Sequence, residues 1–283
     1  MPAPAPPETL SQPDSGLVLR LRELRESDLL VDMFTQGLGR VTAVAKGAKR
    51  SQKRFFGLLL SAHYLELQLA PTRGGGLWRL EAARLLRPHL GLRQSWPRWL
   101  AGGVVLELLL RATAAHDPQP AALDLALATL ARLAGSREGP ELASALVIFL
   151  ARLARELGYG LELGFCLDCG RELATIAQPR LSLEGGLICE TCPTPRARPV
   201  PLGLVRGLAA AHSLDTAALE RLGFSPALLR PAYEFLADFW RQIVGGDLPA
   251  LDLAGRQVLP RSRPPGGGTA SPHKNLAPAG SHP

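Results

Sequence analysis

The sequence predicts an α+β protein: a small OB-like β-barrel, then a helical domain that carries an inserted four-cysteine zinc-ribbon module. Three observations predict it. Before residue 90, apolar residues alternate with polar ones in short runs separated by Gly and Pro, as in a short-stranded barrel. From about Leu92 the apolar spacing changes to three and four, the mark of helices packed through one face. Two CxxC pairs then stand inside the helical text. At 283 residues, with 46% hydrophobic and 20% charged side chains, the chain can fill two or three compact cores, and wholesale disorder is excluded.

Residues 1–14 are Pro-rich and read as a flexible leader. The barrel is expected over 15–88. Ser15–Arg22 alternates, with Leu17, Leu19 and Leu21 on one face; Leu29–Thr35 is a second run, and Gly37-Leu-Gly39 turns the chain into Arg40–Ala45. Tyr64–Leu69 places Leu65, Leu67 and Leu69 on one side, and Leu77–Leu86 follows the turn Pro71–Gly76. Five short strands suit an OB-type barrel, with an SH3-like one as the alternative. The helical domain is expected over 89–259. Its first three helices carry apolar stripes at Trp96, Trp99, Gly103, Leu106 and Leu110; at Leu123, Leu127, Leu130 and Ala134; and at Leu142, Leu146, Phe149, Leu153 and Leu157. Breaks at Asp117–Pro120 and Gly135–Pro140 separate them. Further helical stretches cover Leu202–His212 and Asp215–Leu222, and a closing helix has Pro231 in its first turn, where a missing N–H costs least. Residues 260–283 are rich in Pro, Gly and Ser and read as a disordered tail.

The cysteine module is expected over 164–193. Cys166-Leu-Asp-Cys169 and Cys189-Glu-Thr-Cys192 form two knuckles, and Gly170 with Gly185-Gly186 supplies the turns of a ribbon. Each CxxC turn can present two sulfurs to one tetrahedral ion, so Cys166, Cys169, Cys189 and Cys192 are the expected ligands of one structural Zn²⁺. The competing readings are two disulfides, which a chain without an export signal would not be expected to form, and a redox pair, which would need only one CxxC. A catalytic zinc would keep an open coordination position, which four cysteines close.

The formal charge is +7, from 32 Lys+Arg against 25 Asp+Glu. The excess lies in residues 1–100, where 15 basic residues face 8 acidic ones. Arginine supplies 28 of the 32 and reflects a coding bias, but three of the chain's four lysines fall between 46 and 53. No acidic residue stands between Asp32 and Glu66, while Arg40, Lys46, Lys49, Arg50, Lys53 and Arg54 do. A basic loop leaving a barrel strand suits a phosphate backbone, so these six are the expected nucleic-acid contacts. If all six touch a single strand, the slope of log K against log salt is about −4. Phe55 and Phe56 are expected in the barrel core rather than stacked on bases.

Catalytic patterns are missing: no GxxxxGK[ST], GxGxxG, HExxH or GxSxG occurs, and the six histidines are scattered. A non-enzymatic role is therefore expected. Glu107, inside an apolar run, reads as a helix edge or a buried pair. With no apolar run long enough to span a bilayer and no basic-then-apolar start, a soluble cytoplasmic protein is expected.

Gly16-Leu-Val-Leu, Asp28–Phe34, Gly39-Arg40-Val41, Ala45-Lys-Gly-Ala-Lys-Arg50 and Arg54-Phe55 resemble the barrel of the bacterial DNA repair protein family RecO. Cys166-Leu-Asp-Cys169-Gly170 with Gly185-Gly-Leu-Ile-Cys189 is similar to that family's zinc element. The resemblance covers about residues 15–259. It implies a recombination mediator that binds single- and double-stranded DNA, anneals complementary strands, engages RecR and the C-terminal tail of single-strand-binding protein, and so acts indirectly on the RecA filament. The implied location is cytoplasmic and nucleoid-associated. The rival expectation is a zinc-ribbon and barrel adaptor for RNA or the translation machinery, and a zinc hydrolase is a third.

Overall fold

The computed structural model describes residues 13–72, 75–192 and 197–260, so the expected leader and tail lie almost wholly outside the described residues. Strands β1 (Asp14–Glu23), β2 (Leu29–Thr35), β3 (Gly39–Ala45), β4 (Tyr64–Pro71) and β5 (Trp78–Arg87) close into a barrel of order β1-β2-β3-β5-β4. Closure comes from β1 pairing antiparallel with β4 and β3 pairing parallel with β5. The alternation of apolar residues decides what fills it: Val18, Val31, Met33, Val41, Leu65, Leu67, Leu69, Trp78 and Leu80 point inward and are buried.

One expectation about β1 is corrected. A β-bulge between Val18 and Arg20 inserts one residue, so the side-chain alternation reverses beyond it. Leu17 and Leu19 pack outward against the helices, whereas Leu21 packs with the barrel interior instead of sharing their face.

The helical domain comprises α1 (Trp96–Ala112), α2 (Pro120–Gly135), α3 (Pro140–Glu156), α4 (Leu202–Ser213), α5 (Thr216–Arg221), α6 (Pro226–Val244) and α7 (Pro249–Gln257). Between α3 and α4 lies the second sheet, ordered β6-β8-β7-β9, from β6 (Glu162–Cys166), β7 (Arg180–Ser182), β8 (Gly186–Ile188) and β9 (Arg198–Pro199). Its Leu181, Leu187 and Ile188 join the same buried cluster as the helices, so the insert is packed into the domain.

Three helical expectations are corrected. In α1 the buried face is wider than the expected stripe: Leu106 is buried as expected, but so are Leu100, Ala101, Val104, Val105, Leu108 and Leu109, while Trp96 is 57% exposed and Trp99 is half-buried. The helix packs against α2, α3, α6, α7 and β1, and a helix enclosed on most sides has no single stripe to read. Pro231 lies inside α6 rather than in its first turn, because Pro226 occupies that place. Loss of one helical hydrogen bond is offset by burying Leu229, Ala232, Tyr233, Leu236, Phe239 and Trp240. The chain also forms α7 after α6. Glu107 explains how: its Oε1 and Oε2 accept from the N–H groups of Ala250 and Leu251 at 3.1 Å each, capping the start of that helix from α1. Burial pushes the Glu107 carboxyl up despite those two bonds.

Around Gly39 the barrel and the helices are in close contact. Gly39 has φ +67, and a Cβ there would lie 2.2 Å from the Asp117 carbonyl oxygen. The His116 N–H donates to the Arg40 carbonyl at 3.1 Å beside it. Among the described residues no helix is long and apolar enough to cross a membrane.

Candidate nucleic-acid interface and metal centre

The basic segment leaves β3 through Gly47, in the left-handed region at φ 66, and enters a 3₁₀ turn at Ala48–Arg50. The β1–β2 turn holds it there. Asp28 Oδ1 accepts from the Gly47 N–H at 2.8 Å, and Lys49 N–H donates to the Ser27 carbonyl at 3.0 Å. The Gly47 N–H, more than any nearby cation, holds the Asp28 carboxyl below its ordinary range.

The six candidate cations separate into four groups. Lys46 and Lys53 are exposed, with no ion pair among the described residues. Lys49 Nζ sits 2.8 Å from Glu23 Oε2, and Arg50 Nη2 sits 3.2 Å from Glu26 Oε2. The stretch without acids in sequence therefore meets acids in space, supplied by the preceding hairpin. Arg54 Nη2 donates to the Lys46 carbonyl at 2.6 Å, and its guanidinium lies 4.5 Å from the Phe55 ring centroid. Arg40 stands apart: its Nε donates to the Thr113 carbonyl at 3.0 Å, in the seam between barrel and helices. Of the two aromatics, Phe55 is buried as expected, but Phe56 is 74% exposed, which corrects its placement in the core. Consecutive residues of a tight loop cannot both face inward, and Gly57 at φ +67 turns the chain directly after Phe56.

A second charged group was not legible in sequence. Asp32, 3% exposed, accepts from Arg20 Nε at 2.8 Å, Arg22 Nη2 at 3.0 Å and Thr42 Oγ1 at 2.7 Å across three strands. Burial alone would raise its carboxyl; the Thr42 hydroxyl and the two guanidinia outweigh that and hold it low.

The four cysteines converge. All four Sγ atoms lie within 4.8 Å of one another, and Cys169 Sγ is 3.6 Å from Cys189 Sγ. None is in a disulfide, whose sulfurs would stand at about 2.05 Å. A tetrahedral ion with metal–sulfur bonds of about 2.3 Å places its ligands about 3.8 Å apart, so the donor set fits one four-sulfur metal site. Cys166 and Cys189 are buried, and the Cys189 N–H donates to Cys166 Sγ at 3.3 Å. The Thr191 hydroxyl, first among several donors, pulls the Cys189 thiol down to about 6. Cys192, hydrogen-bonded to Cys189 and the other sulfurs, is pushed up to about 12. Four thiols this close cannot all ionise without a cation among them.

Residues 11–89 match the family model described as recombination protein O N terminal, and residues 93–252 match that described as recombination protein O C terminal. A DNA repair protein RecO from Syntrophobacter fumaroxidans is 31% identical over 241 residues, covering 84% of this chain and 94% of the relative. Proteins of the same description from Frankia casuarinae and Syntrophus aciditrophicus are 34% and 26% identical over 204 and 243 residues. They cover 69% and 84% of this chain, and 79% and 93% of the relatives. The two matched segments span both the barrel and the helices that hold the cysteines, and the chain belongs to the RecO family of DNA repair proteins.

Proposed function

We propose that the chain is a recombination mediator, not an enzyme. It binds single- and double-stranded DNA, anneals complementary strands, and with RecR helps RecA replace single-strand-binding protein at gaps. The observation that carries this reading is the exposed basic loop, Lys46 to Arg54, on a closed barrel in a member of this family. Cations on such a loop screen the phosphates of two strands at once and lower their mutual repulsion. Base pairing then supplies the drive, and no nucleotide hydrolysis is needed. Cys166, Cys169, Cys189 and Cys192 would hold one Zn²⁺, whose chemistry is structural: it fastens the β6–β8 knuckles to the helical core.

The acidic, apolar tail of single-strand-binding protein suits a groove between α2, α3 and α5. The groove encloses about 740 Å³, lined by Leu125, Ile148, Leu222 and Phe224, with Arg132 and Arg221 on its wall. Arg132 also donates to the carbonyls of Leu219 and Leu222, which fixes the shape of that wall. Action on DNA places the protein in the cytoplasm, at the nucleoid.

The test is annealing of complementary DNA coated with its cognate single-strand-binding protein. The native chain is compared with one neutralised at Lys46, Lys49, Arg50 and Lys53. A much slower rate in the neutralised chain is expected; equal rates would remove the basic loop from the mechanism.

A further inference from the structure

Barrel and helices leave one groove open along their seam, of about 420 Å³, walled by Leu19, Arg20, Ser61, Trp99, Leu110 and Arg111 among others. That volume lies in the range of roughly 300–1,000 Å³ typical of small-ligand clefts. Its composition is unusual for a gap between domains. Trp99 is half-buried, and the Arg93 guanidinium lies 4.7 Å from its ring centroid, supporting the indole from one side. Arg93 Nη2 also donates to the Ser61 carbonyl at 3.2 Å, tying the 3₁₀ turn before α1 to the barrel loop. Arg20 is half exposed beside its partner Asp32. Arg111 is exposed and makes no ion pair among the described residues. The one acid on the wall, Glu107, spends both carboxylate oxygens on the N–H groups that start α7. The groove thus offers an aromatic ring and an apolar floor beside three arginines, of which Arg20 is paired with Asp32 while Arg93 and Arg111 make no ion pair among the described residues.

The groove also lies on the chain path that continues the basic loop. Six residues separate Arg54 from Ser61, and on that path Phe56 and Leu60 are 74% and 38% exposed.

We propose that this groove takes an unstacked base of the single DNA strand that the basic loop tracks, with the base against Trp99 and the flanking phosphates near Arg20, Arg93 and Arg111. The proposal rests on the DNA-binding reading above and adds to it a site on the helical domain, so that one strand is held by both domains. A ring that stacks any base is indifferent to sequence, which suits a protein that must anneal arbitrary strands.

Tryptophan emission tests it in the full-length chain. Trp78 and Trp240 are buried at 1% and 0% exposure, so of the four tryptophans a strand can touch only Trp96 and Trp99. In Trp96→Phe, a 20-nucleotide oligo-dT is expected to quench the emission, and an abasic strand of equal length is not. Trp99→Leu is expected to weaken oligo-dT about tenfold or more while leaving the abasic strand unaffected, and Trp99→Phe to retain most of the affinity. Arg111→Gln, at an exposed position and therefore safe for folding, is expected to flatten the salt slope by about 0.7. Oligo-dT that binds without quenching, with Trp99→Leu and Arg111→Gln both at native affinity and slope, would overturn the proposal and leave the basic loop standing. Quenching by a protein partner but not by oligo-dT would overturn it too, and would assign the groove to that protein. Failure of the native chain to bind oligo-dT at all would remove the DNA-binding reading, and this inference with it.

Discussion

Neutralising Lys46 and Lys53 in one chain, and Arg40 in another, separates cations that reach DNA from one that braces the fold. Each phosphate contact with a single strand contributes about 0.7 to the slope of log K against log salt. With Arg40 occupied on the Thr113 carbonyl, five cations remain, and the steepest slope the loop can give is about −3.5 rather than −4. If Lys49 and Arg50 stay with Glu23 and Glu26, only Lys46, Lys53 and Arg54 contribute, for a slope of about −2. The loop's share of the native slope is expected between these limits. Lys46→Gln with Lys53→Gln should flatten it by about 1.4, and Glu23→Gln with Glu26→Gln should bring it to about −3.5 by releasing Lys49 and Arg50. The two exposed ion pairs are worth only about 0–1 kcal/mol each, so the fold should tolerate their loss. Arg40→Gln should leave the slope unchanged and instead cost about 1–2 kcal/mol of stability, by leaving the Thr113 carbonyl without its charged donor. The assay is fluorescence anisotropy of a labelled oligo-dT between about 50 and 200 mM salt, with urea unfolding of each variant. An Arg40→Gln chain of native stability with a flattened slope, or an unchanged slope after loss of both lysines, would refute the partition.

Further outcomes follow from other contacts. Gly39→Ala puts a Cβ against the rigid Asp117 carbonyl at a left-handed position, and urea unfolding should show a loss of about 2–4 kcal/mol. Glu107→Ala strips two backbone N–H groups at the start of α7 of their acceptors, at a cost of about 1–3 kcal/mol, and hydrogen exchange should quicken first in Pro249–Gln257. His63, His89 and His212 are held below their ordinary value near 6.5, chiefly by burial. The unfolded chain therefore takes up their protons first; stability should be complete above about pH 6.5 and fall as pH drops below it. Glu107, raised above its ordinary 4.5 by burial, works in the opposite sense at the acid end, so the fall should steepen toward pH 4.5 in Glu107→Ala, as read from urea midpoints. The native chain should purify with one equivalent of zinc, and Cys169→Ser without it and with a lower melting temperature; equal zinc content in both by elemental analysis would refute the four-sulfur site.

Much of the fold was legible because barrel strands announce themselves through a period of two and through their turns. Leu65, Leu67 and Leu69 face inward as their spacing implies. The four cysteines were equally legible, since CxxC spacing is a local property of a turn. What escaped were backbone irregularities and packing neighbours that the residue pattern does not announce. A bulge turned Leu21 inward, a central position widened the buried face of α1, and Gly57 sent Phe56 outward beside a buried Phe55. Glu107 looked anomalous only because the helix it caps begins more than a hundred residues later.

By itself, then, the sequence determined the barrel-then-helix order, the four-cysteine cluster and the clustering of cations after β3, because alternation, CxxC spacing and charge density are local. Only the tertiary structure decided which of those cations already have a carboxylate or carbonyl partner. The β1–β2 turn brings Glu23 and Glu26 to Lys49 and Arg50, and the domain seam takes Arg40. The physical reason is that a cation's availability depends on the carboxylates and carbonyls within a few ångströms of it, and folding, not sequence distance, sets that neighbourhood.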